Sequence, residues 1–260
     1  MRELWRYRDL LVLLVRRDFV SFYKQTILGP AWFFVQPLLT ALMFYVVFGR
    51  IAQLPTDGAP KILFYLTGIT FWNYFSECFT KTSETFIANT QLFSKVYFPR
   101  LIIPLSIVLS NLLRFAIQLS LLIFVWLWYF TQGDIRPNLA MLLFPLIVIA
   151  MATIGMGVGL IFSAATTKYR DLRFLIQFGV QLLMYATPII YPLSIAEGRW
   201  RSWINVNPLA PLFEAIRYGW LGTGEVSIRG LIWTTLFAVA SFVLGLLLFN
   251  HTERNFIDTV

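Results

Sequence analysis

Six apolar stretches, Ala31 to Gly49, Ile62 to Phe79, Leu101 to Phe130, Leu139 to Ala165, Leu172 to Pro192 and Gly230 to Asn250, occupy more than half of the chain. The linkers between them are too short to fold a separate domain. A hydrocarbon core of ~30 Å takes about 20 helical residues to cross, and each stretch is of that order. Lipid offers exposed backbone groups no hydrogen bonds, so a spanning segment is either a helix or a strand of a closed barrel. These runs lack the alternation of barrel strands, which predicts helices. The chain is 58% hydrophobic over 260 residues, against roughly 45–50% for soluble domains, and much of that surface must face lipid. The expected fold class is all-α: a polytopic membrane protein with six transmembrane helices, divided into a cytosolic segment 1–30, a bundle 31–250 and a cytosolic tail 251–260.

Orientation follows from the 21 basic residues. With the N-terminus in the cytosol, 13 fall on inner segments, 7 on outer ones, and Arg114 lies inside a span. Such a bias toward inner Lys and Arg places both termini in the cytosol. The net charge of +8 then sits mainly against anionic inner-leaflet lipid, so no nucleic-acid partner is expected. No signal peptide is legible at the start of the chain.

Catalytic chemistry has little to work with. Cys78 and His251 are the only residues of their types, which leaves no internal disulfide and no metal cluster. No Gly-rich loop ends in Gly-Lys-Ser or Gly-Lys-Thr, so no phosphate cradle belongs to this chain. Gly155, Gly157 and Gly159 lie within an apolar span and not at a dinucleotide turn; Gly155 and Gly159, four apart, read as close helix packing. No catalytic, cofactor-binding or metal-ligating residue is expected.

The linkers carry more information. Over Arg2 to Gln25, a projection at 100° per residue puts Leu4, Tyr7, Leu11, Leu14, Val15, Phe19 and Phe22 on one side, with most charges opposite. This predicts an amphipathic helix at the inner headgroups, with Arg8 and Asp18 interrupting its apolar face. Lys81 to Arg100 has helical spacing of Phe86, Thr90, Phe93 and Tyr97 and reads as a cytosolic continuation of the second helix. The charged turn Lys168-Tyr169-Arg170-Asp171-Leu172-Arg173 is either a solvated loop or a plug for a cytosolic partner. On the outer side an apolar run follows Asn207-Pro208 as far as Leu221. It is too short to span and predicts re-entrant helices carrying Glu214, Arg217 and Tyr218.

Polar residues recur every fourth position in three spans: Gln36 and Thr40; Ser106, Ser110, Arg114 and Gln118; Gln177, Gln181 and Tyr185. Either these stripes join helices by hydrogen bonds or they line a water-filled path. Glu77 is the only acidic residue within a span and the natural partner for Arg114. Aromatics such as Trp32, Phe33, Trp72 and Trp126 cluster near span ends, as interface belts do, and some are equally suited to contact sugar rings in a channel.

Several of these segments are similar to known ones. Tyr23-Lys24-Gln25-Thr26 leading to Leu28-Gly29-Pro30-Ala31-Trp32, then Gln36-Pro37-Leu38-Leu39, resembles the entry to the first span of type-2 ABC exporter permeases of polysaccharides. Lys95-Val96-Tyr97-Phe98-Pro99-Arg100, the turn at 168–173, Thr187-Pro188-Ile189-Ile190-Tyr191-Pro192, Asn207-Pro208 and Glu253-Arg254-Asn255-Phe256-Ile257-Asp258 follow in the order that family shows. Within it the chain most resembles permeases for lipid-linked O-antigen, with capsule and teichoic-acid exporters close by.

The resemblance implies a homodimer of six-helix subunits around a channel, in a bacterial inner membrane, for a polyprenyl-diphosphate-linked polysaccharide. Two copies of a separate cytosolic ATPase, which binds ATP and Mg, would drive it. It further implies an N-terminal interface helix and a gate helix with Phe86, Thr90, Phe93 and Tyr97. ATPase coupling falls to Lys168, Tyr169, Arg170, Asp171 and Arg173. The channel would be lined by residues such as Trp32, Phe33, Gln36, Thr40, Gln177, Gln181 and Tyr185, and the outer gate formed around Asn207, Pro208, Glu214, Arg217 and Tyr218. Membrane lipid is the remaining partner. Export of another cargo by the same architecture is the first alternative. A membrane transferase would need paired carboxylates or a base that the sequence lacks. A secondary transporter would need interrupted helices in both halves.

Overall fold

The computed structural model describes residues 6–24, 26–95, 98–169 and 171–257, and of residues 22, 93–95 and 253–257 the backbone alone. Tyr97 and Arg170 therefore lie outside the described residues, as does the side chain of Phe93. Among the described residues all regular structure is helical. Helix α1 (Arg8–Tyr23) precedes a 3-10 turn (Gly29–Ala31), α2 (Trp32–Phe44) and a π-helical turn (Tyr45–Ile51). Next come α3 (Lys61–Ser83), α4 (Thr85–Ala88), α5 (Thr90–Lys95) and α6 (Ile102–Gln132). A 3-10 turn (Leu139–Leu143) leads into α7 (Phe144–Lys168), followed by α8 (Leu172–Ala186), α9 (Gly198–Val206), α10 (Ala210–Leu221) and α11 (Ile228–Ile257).

Among the described residues, four helical segments are long and apolar enough to cross a membrane: Gly29–Ile51, Ile102–Gln132, Leu139–Lys168 and Ile228–Thr252. The other two predicted spans differ from them for separate reasons. Helix α3 is long but carries Thr67, Thr70, Asn73, Ser76, Glu77 and Lys81, and it is buried on nearly every side from Leu63 to Phe75. Protein surrounds it, and hydroxyls such as Thr67 and Thr70 bond the carbonyls of Leu63 and Leu66 on their own helix. A helix so enclosed need not be apolar enough for lipid. Helix α8 has only 15 residues, roughly 22 Å at 1.5 Å per residue. The stretch expected to be helical as far as Pro192 stops at Ala186, where Thr187 turns to an extended backbone (φ −101°, ψ 140°) because the following Pro188 disfavours the helical region.

Close packing builds the bundle around α7. A Cβ on Gly155 would stand 3.0 Å from Cys78 Cβ, and one on Gly159 would stand 2.6 Å from Thr82 Cβ, both on α3. From the opposite face of α7, a Cβ on Gly157 would stand 2.6 Å from the backbone nitrogen of Phe242 on α11. Close packing through Gly155 and Gly159 is as the sequence predicts; Gly157 adds a second backbone approach, to α11, on the opposite face.

Much of the apolar face of α1 is covered by protein. Leu14 is buried against Phe98, Ile102, Ile103 and Ile107, with Tyr7, Leu10 and Leu11 beside it, and the Phe19 ring stacks on Phe33 at 5.5 Å. Val12 and Leu13 remain exposed. Asp18 meets the chain's own α6, where its carbonyl accepts from Arg114.

Candidate functional site

Past the C-terminal end of α3 the predicted continuous helix carrying Phe86, Thr90, Phe93 and Tyr97 is divided. Backbone breaks at Glu84 (φ −99°, ψ 6°) and Asn89 (φ −119°, ψ 19°) separate α3, α4 and α5. Phe86 lies fully buried and stacks on Phe249 of α11 with ring centroids 4.6 Å apart, so this ring anchors the segment to the bundle. Thr90 is exposed, with its hydroxyl on the carbonyls of Phe86 and Ile87.

The charged turn lies next to that segment. Lys168, Tyr169, Asp171 and Arg173 are exposed, and the Lys168 ammonium sits 5.4 Å from the centre of the Tyr169 ring. Two contacts bind the turn to the start of the gate segment. Buried Thr166 donates from Oγ1 to the Ser83 carbonyl at 2.8 Å, and Arg173 forks onto Glu84 at 3.0 and 3.4 Å. Sequence reasoning missed Ser83, Glu84 and Thr166, since their partners lie more than 80 positions away.

Inside the bundle, Arg114 and Glu77 do meet, at 3.4 Å, and Lys81 joins the same Glu77 oxygen from one turn along α3. Arg114 also donates to the Asp18 carbonyl at 3.0 Å. One guanidinium therefore ties together α1, α3 and α6. A small polar cavity of about 60 Å³ adjoins it, lined by Gln36, Asn73, Glu77, Asn111 and Gln118 among others.

The three polar stripes divide into different uses. In α6, Ser106, Ser110 and Arg114 are buried, the two serine hydroxyls donate to the carbonyls of Ile103 and Ile107, and Gln118 is half-buried. In α8, Gln177, Gln181 and Tyr185 are all exposed, on a helix whose only fully buried residue is Ile176. In α2, Gln36 and Trp32 are exposed, Thr40 is half-buried with its hydroxyl on the Gln36 carbonyl, and Phe33 is buried under α1. Phe33 thus faces inward within one subunit.

On the other side of the bundle, Asn207 forms a turn ahead of α10 by accepting from Leu209 N at 3.0 Å, and it donates to the Thr187 hydroxyl at 2.8 Å. Its neighbour Pro208 gives its carbonyl to the Thr234 hydroxyl at 2.7 Å. Glu214 and Arg217, one turn apart on α10, form an ion pair at 3.2 Å with both side chains buried. Arg217 then donates to the carbonyls of Ile189 at 2.8 Å and Tyr191 at 3.1 Å, and its guanidinium lies 3.9 Å over the Phe64 ring. Burial pushes the Glu214 carboxyl above its ordinary range, and Arg217 opposes that rise. Tyr218 is exposed at the edge, and its carbonyl accepts from Asn138 at 2.8 Å.

A family description, ABC-2 type transporter, matches residues 9–221, which include α1, the divided gate segment, the charged turn and the buried pair on α10. The chain belongs to the ABC-2 type transporter family. Two Klebsiella pneumoniae proteins, each called O-antigen export system permease protein RfbA, are similar to it. They are 30% and 31% identical over 257 and 252 residues, 96% of this chain and 94% of each relative. A Myxococcus xanthus protein of the same name is 30% identical over 223 residues, 84% of both chains. Members of the ABC-2 family work as the membrane component of a transporter, and this chain is such a permease subunit.

Proposed function

We propose that this ABC-2 permease exports a lipid-linked O-antigen polysaccharide. It crosses the bacterial inner membrane six times, keeps both termini in the cytosol and works as a homodimer with two copies of a separate ATPase. The observation that carries the reading is the likeness to O-antigen export permeases over nearly the whole length of the chain. The six-crossing reading takes α3 as an enclosed span and α8 with the bent segment 187–191 as a short one. Exposed polar residues on α8 and the exposed side of α2 are well placed to wet a path between two subunits.

Motion enters through the turn at 168–173. Nucleotide closure of the partner dimer pushes on this turn, and the contacts from Thr166 and Arg173 pass the push to the base of α3 and the gate segment. ATP and Mg act on the partner, and no covalent step occurs on this chain.

Reconstitution tests the proposal. Vesicles holding the chain and its ATPase should take up lipid-linked O-antigen only when ATP is supplied, and the chain alone should hydrolyse no nucleotide. Uptake of a small drug with indifference to the glycolipid would reject the cargo, and transport without any ATPase would reject the mechanism.

A further inference from the structure

Between α9, α10 and the start of α11 lies a cleft of about 400 Å³, within the roughly 300–1,000 Å³ of small-ligand sites. Its polar wall carries both signs of charge. Arg201 bonds Glu225 at 2.7 Å, leaving the Glu225 side chain 75% exposed, and Arg229 and Asn205 are exposed beside them. Trp233 closes one side, its indole N–H donating to the Val206 carbonyl at 3.1 Å. The cleft opens onto apolar surface: Ile232, Leu236, Val239 and Val243 repeat at helical spacing along α11 and are each at least half exposed. A charged head above an apolar track, with a tryptophan at the join, matches a membrane–water boundary.

From this juxtaposition we infer that the cleft binds a zwitterionic phospholipid, with the ethanolamine headgroup in the polar wall and an acyl chain along α11. Arg229 and the free N–H groups of Arg201 receive the phosphate. The exposed Glu225 carboxylate accepts from the ethanolamine ammonium. Hydrogen bonding and charge together select this headgroup over its relatives: a choline matches the charge but has no N–H to donate, and a glycerol headgroup offers Glu225 no cation. The bound lipid bridges α9 to α11, next to the contacts that already join α11 to the end of α9, through Trp233 and Val206, and to the segment after it, through Thr234 and Pro208. This site is independent of the cargo, so export of O-antigen and binding of the lipid stand or fall separately.

The test uses the full chain with its ATPase in vesicles of equal parts phosphatidylethanolamine, phosphatidylcholine and phosphatidylglycerol with matched acyl chains. Protein is extracted with a membrane-excising copolymer, and co-extracted lipids are quantified by mass spectrometry. The ethanolamine lipid should be enriched over the choline lipid in the native chain. That ratio should fall about fivefold toward parity in Glu225→Gln, the scale of one exposed charged contact. Arg229→Gln should lower retention of every phospholipid at the site. Glu225→Gln is compared with the native chain only where the two have matching thermal melts, since a misfolded cleft would also return the ratio to parity. Three lipids in equal proportion around the native chain, an ethanolamine preference untouched by Glu225→Gln, or displacement of the lipid by delipidated O-antigen polysaccharide would each overturn the assignment, the last in favour of a glycan site.

Discussion

At the residue scale, Arg217 explains how a non-helical segment is held deep in the fold. Once Pro188 ends α8, the buried backbone of Ile189 and Tyr191 has lost its helical partners, and a guanidinium supplies two donors for it. Arginine is needed because its planar fork reaches both carbonyls and Glu214 at once, which a lysine ammonium cannot reproduce. Arg217→Ala leaves Glu214 buried without its cation and should cost ~3–5 kcal/mol, the range for one half of a buried ion pair. A thermal melt of the purified chain in detergent measures this, and Arg217→Lys should recover only part of the loss. Gly157 makes a second residue-scale case. Gly157→Ala puts a methyl against the Phe242 backbone, which has no flexible side chain to move aside, and overpacking of this kind costs ~1–3 kcal/mol. The same change at Gly179, mid-helix in α8 with open space around it within one subunit, should not lower the melt, since Ala is the better helix former there, and serves as the control.

At the scale of elements, two contacts join the end of α7 and the turn after it to the end of α3: Thr166 to the Ser83 carbonyl and Arg173 to Glu84. The Arg173–Glu84 pair is too exposed to matter much for stability, as such pairs contribute ~0.2–1 kcal/mol. Its effect is predicted in coupling. Glu84→Arg should leave folding intact and depress ATP-driven uptake, Arg173→Glu should do the same, and the double reversal should restore much of the lost transport. Failure of the double variant to recover would separate the ion pair from the transmission of motion. Arg114 joins elements in another way, fixing α1 to α3 and α6. Arg114→Leu should loosen α1, visible as faster protease cleavage between α1 and α2 in an otherwise folded chain.

At the scale of the whole molecule, one subunit leaves a large apolar and polar surface uncovered. Helix α8 exposes Phe174, Phe178, Leu182 and Tyr185 together with its glutamines. In the proposed dimer this surface and the open side of α2 meet the second copy and the path. Single cysteines at Gln177 and Gln181, in a chain whose Cys78 is buried, should form disulfide-linked dimers in membranes. Monomers at both positions would move the channel elsewhere.

The helical class, the apolar stretches, the amphipathic first helix and the glycine face of α7 were all legible in the chain, because they rest on local periodicity and on what lipid permits. The resemblance to a transport family was legible too, in short linker motifs. Tertiary structure alone decided which polar stripe is enclosed and which is open, since Ser106 and Gln177 have similar spacing and opposite surroundings. It also decided the breaks at Glu84 and Asn89, the early end of α8, and the partners of Arg173, Thr166 and Arg217. These depend on which carbonyl or carboxylate the fold brings within about 3 Å, and no sequence interval encodes a meeting of groups from distant parts of the chain.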